Sequence, residues 1–137
     1  MKKLLIAGIC LLGYYGTAMA QTVSPPPPPV PKDPFAGKVK FDEQKVSFGT
    51  TKFNQPVTVF FPFTNIGSQP LIVENVQASC GCTNPTWPKH PILPGQTDSI
   101  SATYSANMMG MVNKTVWVRF AGINDDMTLQ VLGKVVN

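Results

Sequence analysis

The chain has 137 residues, 43% of them hydrophobic and 13% charged, with a formal net charge of +4. A length of this order holds one hydrophobic core. The charge is weak and scattered, which excludes a nucleic-acid surface.

Residues 1–20 read as an export signal that is not part of the fold. Lys2 and Lys3 form a basic start, Leu4 to Leu12 an apolar stretch, and Ala18-Met19-Ala20 a small-x-small cleavage site. The apolar stretch is too short to span a membrane, which takes about 20 residues. The mature chain is expected to start at Gln21, with no transmembrane segment, and to lie in the periplasm or outside the cell. It keeps 9 basic residues against 7 acidic ones, a net charge of +2. Cys10 lies inside the apolar stretch behind Ile9, and a lipoprotein signal needs a small residue there, so lipid attachment is not expected.

Residues 21–38 form a proline-rich leader with seven prolines between Pro25 and Pro34. Such a segment favours extended polyproline II and builds no core. It is expected to be disordered; a stalk or a proline-rich ligand is the functional alternative.

Residues 39–137 read as strands and turns. Val39 to Phe48 is the first strand, closed by Gly49. Val57, Val59, Phe61 and Phe63 alternate with Thr58, Phe60, Pro62 and Thr64, which marks a strand with one core face. Pro62 has no N–H for a ladder, so an edge or a bulge is expected there. Asn65-Ile66-Gly67-Ser68 is a turn, and Leu71 to Val76 a further strand. The irregular stretch Asn84 to Gly95 holds Pro85, Pro88, Pro91 and Pro94. Ile100, Ala102 and Tyr104 then alternate with polar residues. Val112, Val116, Val118 and Phe120 do the same, and so do Met127, Leu129, Val131 and Val135. No segment after the signal has helical periodicity. Six strands and a short one at Cys82 to Thr86 make about seven. They predict an all-β, immunoglobulin-like antiparallel β-sandwich, with a small barrel as the other architecture. The expected core includes Val59, Phe61, Val116, Val118, Leu129 and Val131.

The sharpest local feature is Cys80-Gly81-Cys82, the only cysteines of the mature chain. In a flat strand, residues i and i+2 lie about 6.6 Å apart on one face. A disulfide therefore needs a bend, which Gly81 permits. An oxidising compartment favours that bond, as a structural bridge or as a strained, redox-active one. Two thiolates with His90, or with Met108, Met109 or Met111, would instead suit monovalent copper or zinc. Two thiolates alone fall short of a closed tetrahedral site.

His90 is the only histidine and sits in a loop, where a histidine is most often simply solvated. The carboxylates form no paired arrangement for acid–base work, and there is no glycine-rich phosphate loop. No catalytic residue and no cofactor are expected. Trp87 and Trp117 are candidates for exposed partner contacts, although a strand tryptophan more often pairs across strands. Asp98-Ser99-Ile100 resembles the Asp-Ser/Thr-aliphatic tripeptide that some Gram-negative bacteria O-glycosylate, which makes Ser99 a glycosylation candidate.

Phe63-Thr64-Asn65-Ile66-Gly67, Pro70-Leu71-Ile72-Val73, Ser79-Cys80-Gly81-Cys82-Thr83, Pro94-Gly95 and Gly110 before a valine-rich strand occur in this order. Together they resemble the bacterial domain-of-unknown-function family 1573 over residues 40–136. The resemblance implies an exported domain of Gram-negative bacteria, related to immunoglobulin-like binding and scaffolding modules, with no established activity. The expected function is a non-catalytic module that binds a protein or envelope component through a sheet face or edge. The alternative is a thiol-redox or soft-metal protein acting through Cys80 and Cys82.

Overall fold

The computed structural model describes residues 32–137. The export signal, its cleavage site, Cys10 and the proline run from Pro25 to Pro31 lie outside the described residues. Alternation of branched and aromatic residues with polar ones builds eight strands and no helix among the described residues. They are β1 (Val39–Phe41), β2 (Lys45–Lys52), β3 (Val57–Asn65), β4 (Val73–Ala78), β5 (Thr83–Thr86), β6 (Thr97–Tyr104), β7 (Gly110–Phe120) and β8 (Asp126–Val136). The first sheet runs β1-β3-β6-β5 and the second β2-β8-β7-β4. All pairs are antiparallel except β2 with β8, which is parallel. The architecture is the expected immunoglobulin-like sandwich, with eight strands instead of seven.

The additional strand comes from the first segment. The single strand expected from Val39 to Phe48 is two strands in different sheets. Val39 and Phe41 point inward from odd positions, Val46 and Phe48 from even ones. The phase changes at Asp42–Gln44, where the chain crosses from the first sheet to the second. The start of the domain also differs from the expected boundary. Phe35 is buried and meets Phe120 edge-on, with ring centroids 6.4 Å apart. The Asp33 carboxylate accepts the Phe35 N–H at 2.9 Å, and the Lys38 and Val39 amides donate back to the Phe35 carbonyl. The last residues of the expected leader thus form an ordered turn that seats an aromatic ring in the core.

Every residue of the expected core list is buried: Val59, Phe61, Val116, Val118, Leu129 and Val131. Phe41, Phe63 and Phe120 pack between the sheets at centroid distances of 5.3, 5.7 and 6.2 Å. Pro62 lies in an interior strand without breaking the β3–β6 register. Its carbonyl accepts the Asp42 amide at 3.1 Å on the β1 side. In an antiparallel strand the N–H and C=O of one residue point the same way. The missing donor therefore faces the place where β1 has ended, so the proline is accommodated without the expected edge strand or bulge. Pro85 lies in the edge strand β5.

On β2 a bulge opposes Ser47 to Leu132 and Thr50 to Lys134, which leaves one additional residue on β2. Gly49 there has a φ of 73°, a conformation that suits glycine. The bulge lays the Phe48 ring over Gly133 of β8 and stacks it on Tyr104 of the facing sheet, with centroids 6.0 Å apart.

Candidate functional site

Three connections meet at one end of the sandwich. Ser79–Cys82 joins β4 to β5 and carries the chain from the second sheet to the first. Residues 105–109 join β6 to β7 and carry it back. Residues 53–56 join β2 to β3. Backbone bonds tie them together. Ser105 donates its amide and its hydroxyl to the Cys82 carbonyl at 2.9 and 3.0 Å. Asn54 donates to the Ala106 carbonyl at 2.9 Å, and Phe53 to the Val136 carbonyl at 2.8 Å. The Ser79 amide donates to the Thr115 carbonyl at 2.8 Å, and the Thr115 amide returns a bond to the Ser79 hydroxyl at 3.1 Å.

These bonds bend the chain at Cys80-Gly81-Cys82. The two sulfurs are in close contact and the Cα atoms are 5.2 Å apart, shorter than the flat-strand spacing and within the disulfide range. Both cysteines are half-buried. Cys82 packs on a small apolar cluster of Tyr104, Ala106, Val112 and Val135. Thr83 follows, buried, with its hydroxyl 3.7 Å from the Cys80 sulfur.

The same end exposes large apolar side chains. Met108, Met109 and Met111 are 61%, 65% and 83% exposed, and Phe53 is 43% exposed. The sequence singled out the methionines but not Phe53. Phe53 is brought to this end by the pairing of β2 with β8 and by the bond from its neighbour Asn54 to Ala106.

His90 is not at this end. Its Nε2 lies 3.1 Å from the Asp98 carboxylate, at the start of β6. Cys82 is held at the far end of that strand, roughly 20 Å away at about 3.3 Å per residue. The structure therefore does not bring Cys80, Cys82 and His90 together. Among the described residues no group of three or more His, Cys, Asp or Glu side chains is placed to hold a metal ion. Among the same residues no helix is long and apolar enough to cross a membrane.

The two tryptophans differ. Trp87 is half-buried, packs against the main core and carries the Lys89 ammonium 3.3 Å from its ring centroid, so it is not the exposed anchor expected. Its Nε1 is buried without a hydrogen-bond partner. Trp117 is exposed on the outer face of the second sheet. Ser99 lies on the outer face of the first sheet, half-buried in an interior strand, with its amide donating to the Asp98 carboxylate at 2.7 Å.

At the opposite end, Asn65 is buried and organises the loops. Its Nδ2 donates to the Gln69 and Ile92 carbonyls, both at 2.8 Å, and its Oδ1 accepts the Gly67 amide at 2.9 Å. Leu71 and Ile92, joined by an isolated bridge, close that end.

Similar folds occur in solved structures. A protein of unknown function from Porphyromonas gingivalis W83 superposes with a TM-score of 0.62 at 12% identity, over 72% of this chain and 46% of that one. The ASH/PapD-like domain 7 of human CEP192 gives 0.60 at 12% identity, over 80% and 92%. The secreted serine protease VesC from Vibrio cholerae gives 0.58 at 10% identity, over 74% and 24%. The chain thus spans less than half of the Porphyromonas protein and about a quarter of VesC, and at these identities the likeness is one of fold. No curated protein matches the sequence. The model of one family does match, over residues 39–135, which is nearly all of the described sandwich, and the chain belongs to that family, described as protein of unknown function (DUF1573).

Proposed function

We propose that this chain is an exported, non-catalytic module of the cell envelope that binds a protein partner through the end of the sandwich carrying Phe53, Met108, Met109 and Met111. The observation that supports this reading is the gathering of four exposed apolar side chains at one end, Phe53, Met108 and Met109 on two short connections tied to each other by a backbone bond and Met111 at the start of β7. Methionine is unbranched and adapts to irregular partner surfaces, and several large exposed apolar groups at one end favour contact with another protein. The turn at Cys80–Cys82 is tied to the methionine connection by the two bonds from Ser105 to the Cys82 carbonyl. A photo-crosslinking amino acid at position 109, in the native host, is expected to give one discrete adduct that excess purified domain competes away. The same probe at position 40, on the short strand near the other end, is expected to give none. Absence of a competed adduct from position 109 would remove this reading.

The second reading is a thiol-redox or soft-metal protein. It draws on the placement of three thioethers at the same end as the cysteine pair, a donor set suited to monovalent copper once the pair is reduced. A thiol count on native protein, with metal analysis of a sample purified without chelator, separates the two. Stoichiometric metal with free thiols would replace the binding-module reading.

A further inference from the structure

On the outer face of the second sheet, away from the loop end just discussed, three strands set two rows of side chains side by side. Gln77, Trp117 and Thr128 form one row across β4, β7 and β8. Asn75, Arg119 and Asp126 form the next. Residues two apart share a face, so the rows are neighbours. Between them lies a shallow concavity of about 220 Å³, lined by Asn75, Gln77, Trp117, Arg119 and Asp126. That is below the about 300–1,000 Å³ of pockets for drug-sized molecules and on the scale of one sugar ring.

We infer that this concavity is a saccharide-binding site, with Trp117 as the platform for a pyranose ring of a neutral oligosaccharide. Four features support the choice. Trp117 is 38% exposed, yet its direct cross-strand neighbours are Gln77 and Thr128, so it covers no apolar patch of its own sheet. An exposed indole bordering a mostly polar concavity suits a ligand with one apolar C–H face and a rim of hydroxyls. Asn75 and Gln77 each offer a carboxamide, donor and acceptor together, as vicinal hydroxyls require. Arg119 is locked to Asp126 by a two-pronged contact of 2.7 and 2.9 Å, which fixes the remaining donors and acceptors of both groups.

Charge decides against the other planar ligands. Arg119 and Asp126 cancel, and Glu74 and Asp125 add negative charge close to the guanidinium. A nucleic acid needs a positive surface for its phosphates. A proline-rich peptide needs a groove lined by several aromatics, and here one indole stands among carboxamides and an ion pair. The open, flat site accepts an internal unit of a chain, and rings with equatorial hydroxyls present the flattest C–H face to the indole. The preferred ligand is therefore a β-linked oligosaccharide of such rings. This inference is independent of the proposed protein contact, which uses the other surface.

The test is a nuclear magnetic resonance titration of the exported chain with cellohexaose, N-acetylchitohexaose and xylohexaose, and with maltohexaose and an oligoproline peptide as contrasts. At least one of the first three is expected to shift the Trp117 indole and the Asn75 and Gln77 carboxamides saturably, and more tightly than maltohexaose. Trp117→Ala is expected to weaken binding at least tenfold. Gln77→Ala is expected to weaken it severalfold, and Thr58→Ala on the opposite sheet to leave it unchanged. Saturable shifts that survive Trp117→Ala, shifts with oligoproline alone, or none from the three hexaoses at millimolar concentration would each overturn the assignment.

Discussion

The Asn65 side chain donates to the Ile92 carbonyl across 2.8 Å, and this bond ties the end of β3 to the loop that leads into β6. The same carboxamide holds Gln69 and Gly67, and the Asn65 backbone exchanges bonds with Gln96 and Gly95. One buried polar residue thus fixes two loops that have no strand partner of their own. Asn65→Ala leaves the Gln69 carbonyl and the Gly67 amide without their partner, while the Ile92 carbonyl keeps the Leu71 amide. At about 1–3 kcal/mol for a buried unsatisfied group, partly relieved by water, the expected loss is about 3 kcal/mol. Asn65→Asp is expected to cost at least as much at neutral pH, because a carboxylate cannot donate to the two carbonyls and is itself buried. Chemical denaturation of both variants checks this. A loss for Asn65→Asp well below that for Asn65→Ala would show that the two donated bonds matter little.

Much of the fold is legible in the sequence because a strand with one buried face writes its own period. Phe61, Val118 and Leu129 are found by alternation alone. The break after Phe41 is legible too, in the polar run Asp42-Glu43-Gln44 and in the phase change from odd to even inward positions on its two sides. Asn65 is not legible. Its burial depends on Ile92, 27 residues away, and nothing local separates it from an ordinary turn asparagine. The surroundings of Trp117 are hidden for the same reason. Gln77 and Thr128 become its neighbours only through the pairing of β4, β7 and β8. Parallel pairing of β2 with β8, which helps bring Phe53 to the methionine end, likewise has no sequence marker.

Val118 has no exposed surface and lies on β7 between Val76 of β4 and Met127 of β8. Val118→Asp places an unpaired carboxylate between the sheets and is expected to cost about 4 kcal/mol or more. Thermal unfolding followed by circular dichroism reads it. A variant with the wild-type melting temperature would contradict the inward assignment of β7.

Gly133 lies under the Phe48 ring so closely that a Cβ at this position would overlap it. Gly133→Ala must push the ring off its stack on Tyr104, at an expected cost of about 1–3 kcal/mol. Phe48→Ala removes the obstruction, so Gly133→Ala is expected to cost much less in that background. A double-mutant cycle from urea denaturation measures the coupling. Additive losses would mean that the ring does not constrain position 133.

The Asp126 carboxyl is held below the usual carboxylate range, first by its hydrogen bonds from Arg119, which outweigh the opposing effect of desolvation, and then by the guanidinium charge. A depressed carboxylate stabilises the fold above its unfolded value, and the effect is lost as pH falls through the depressed one. Both groups are substantially exposed, so solvent screens the effect on stability. The clear signature is the titration itself. The Asp126 carboxyl carbon is expected to titrate at lower pH than an ordinary aspartate, and Arg119→Gln to return it toward the ordinary range. Equal midpoints in the two proteins would mean that the fork does not persist in solution.

Cys80 and Cys82 are expected to form a disulfide that adds to stability but is not required for folding. A ring closing three residues removes little unfolded-state entropy, about 1.6 kcal/mol from the loop-length relation. The turn is also held without the sulfurs, by the two bonds from Ser105 to the Cys82 carbonyl and by the Thr83 amide on the Cys80 carbonyl. Replacing both cysteines by serine is therefore expected to cost about 1–3 kcal/mol, in the range of ordinary buried substitutions, and to leave the sandwich folded. The core of Phe61, Val118 and Leu129 does not include the pair. Neither cysteine is expected to act as a nucleophile, because His90 lies at the other end of β6 and no helix N-terminus among the described residues is present to lower a thiol pKa. Thiol titration of the native protein before and after reduction, with denaturation of the double-serine variant, tests all three statements. Two free thiols in the native protein would remove the bond. An unfolded double-serine variant would make the bond essential to the fold, and rapid disulfide exchange with a model substrate that disappears in this variant would establish the redox reading instead.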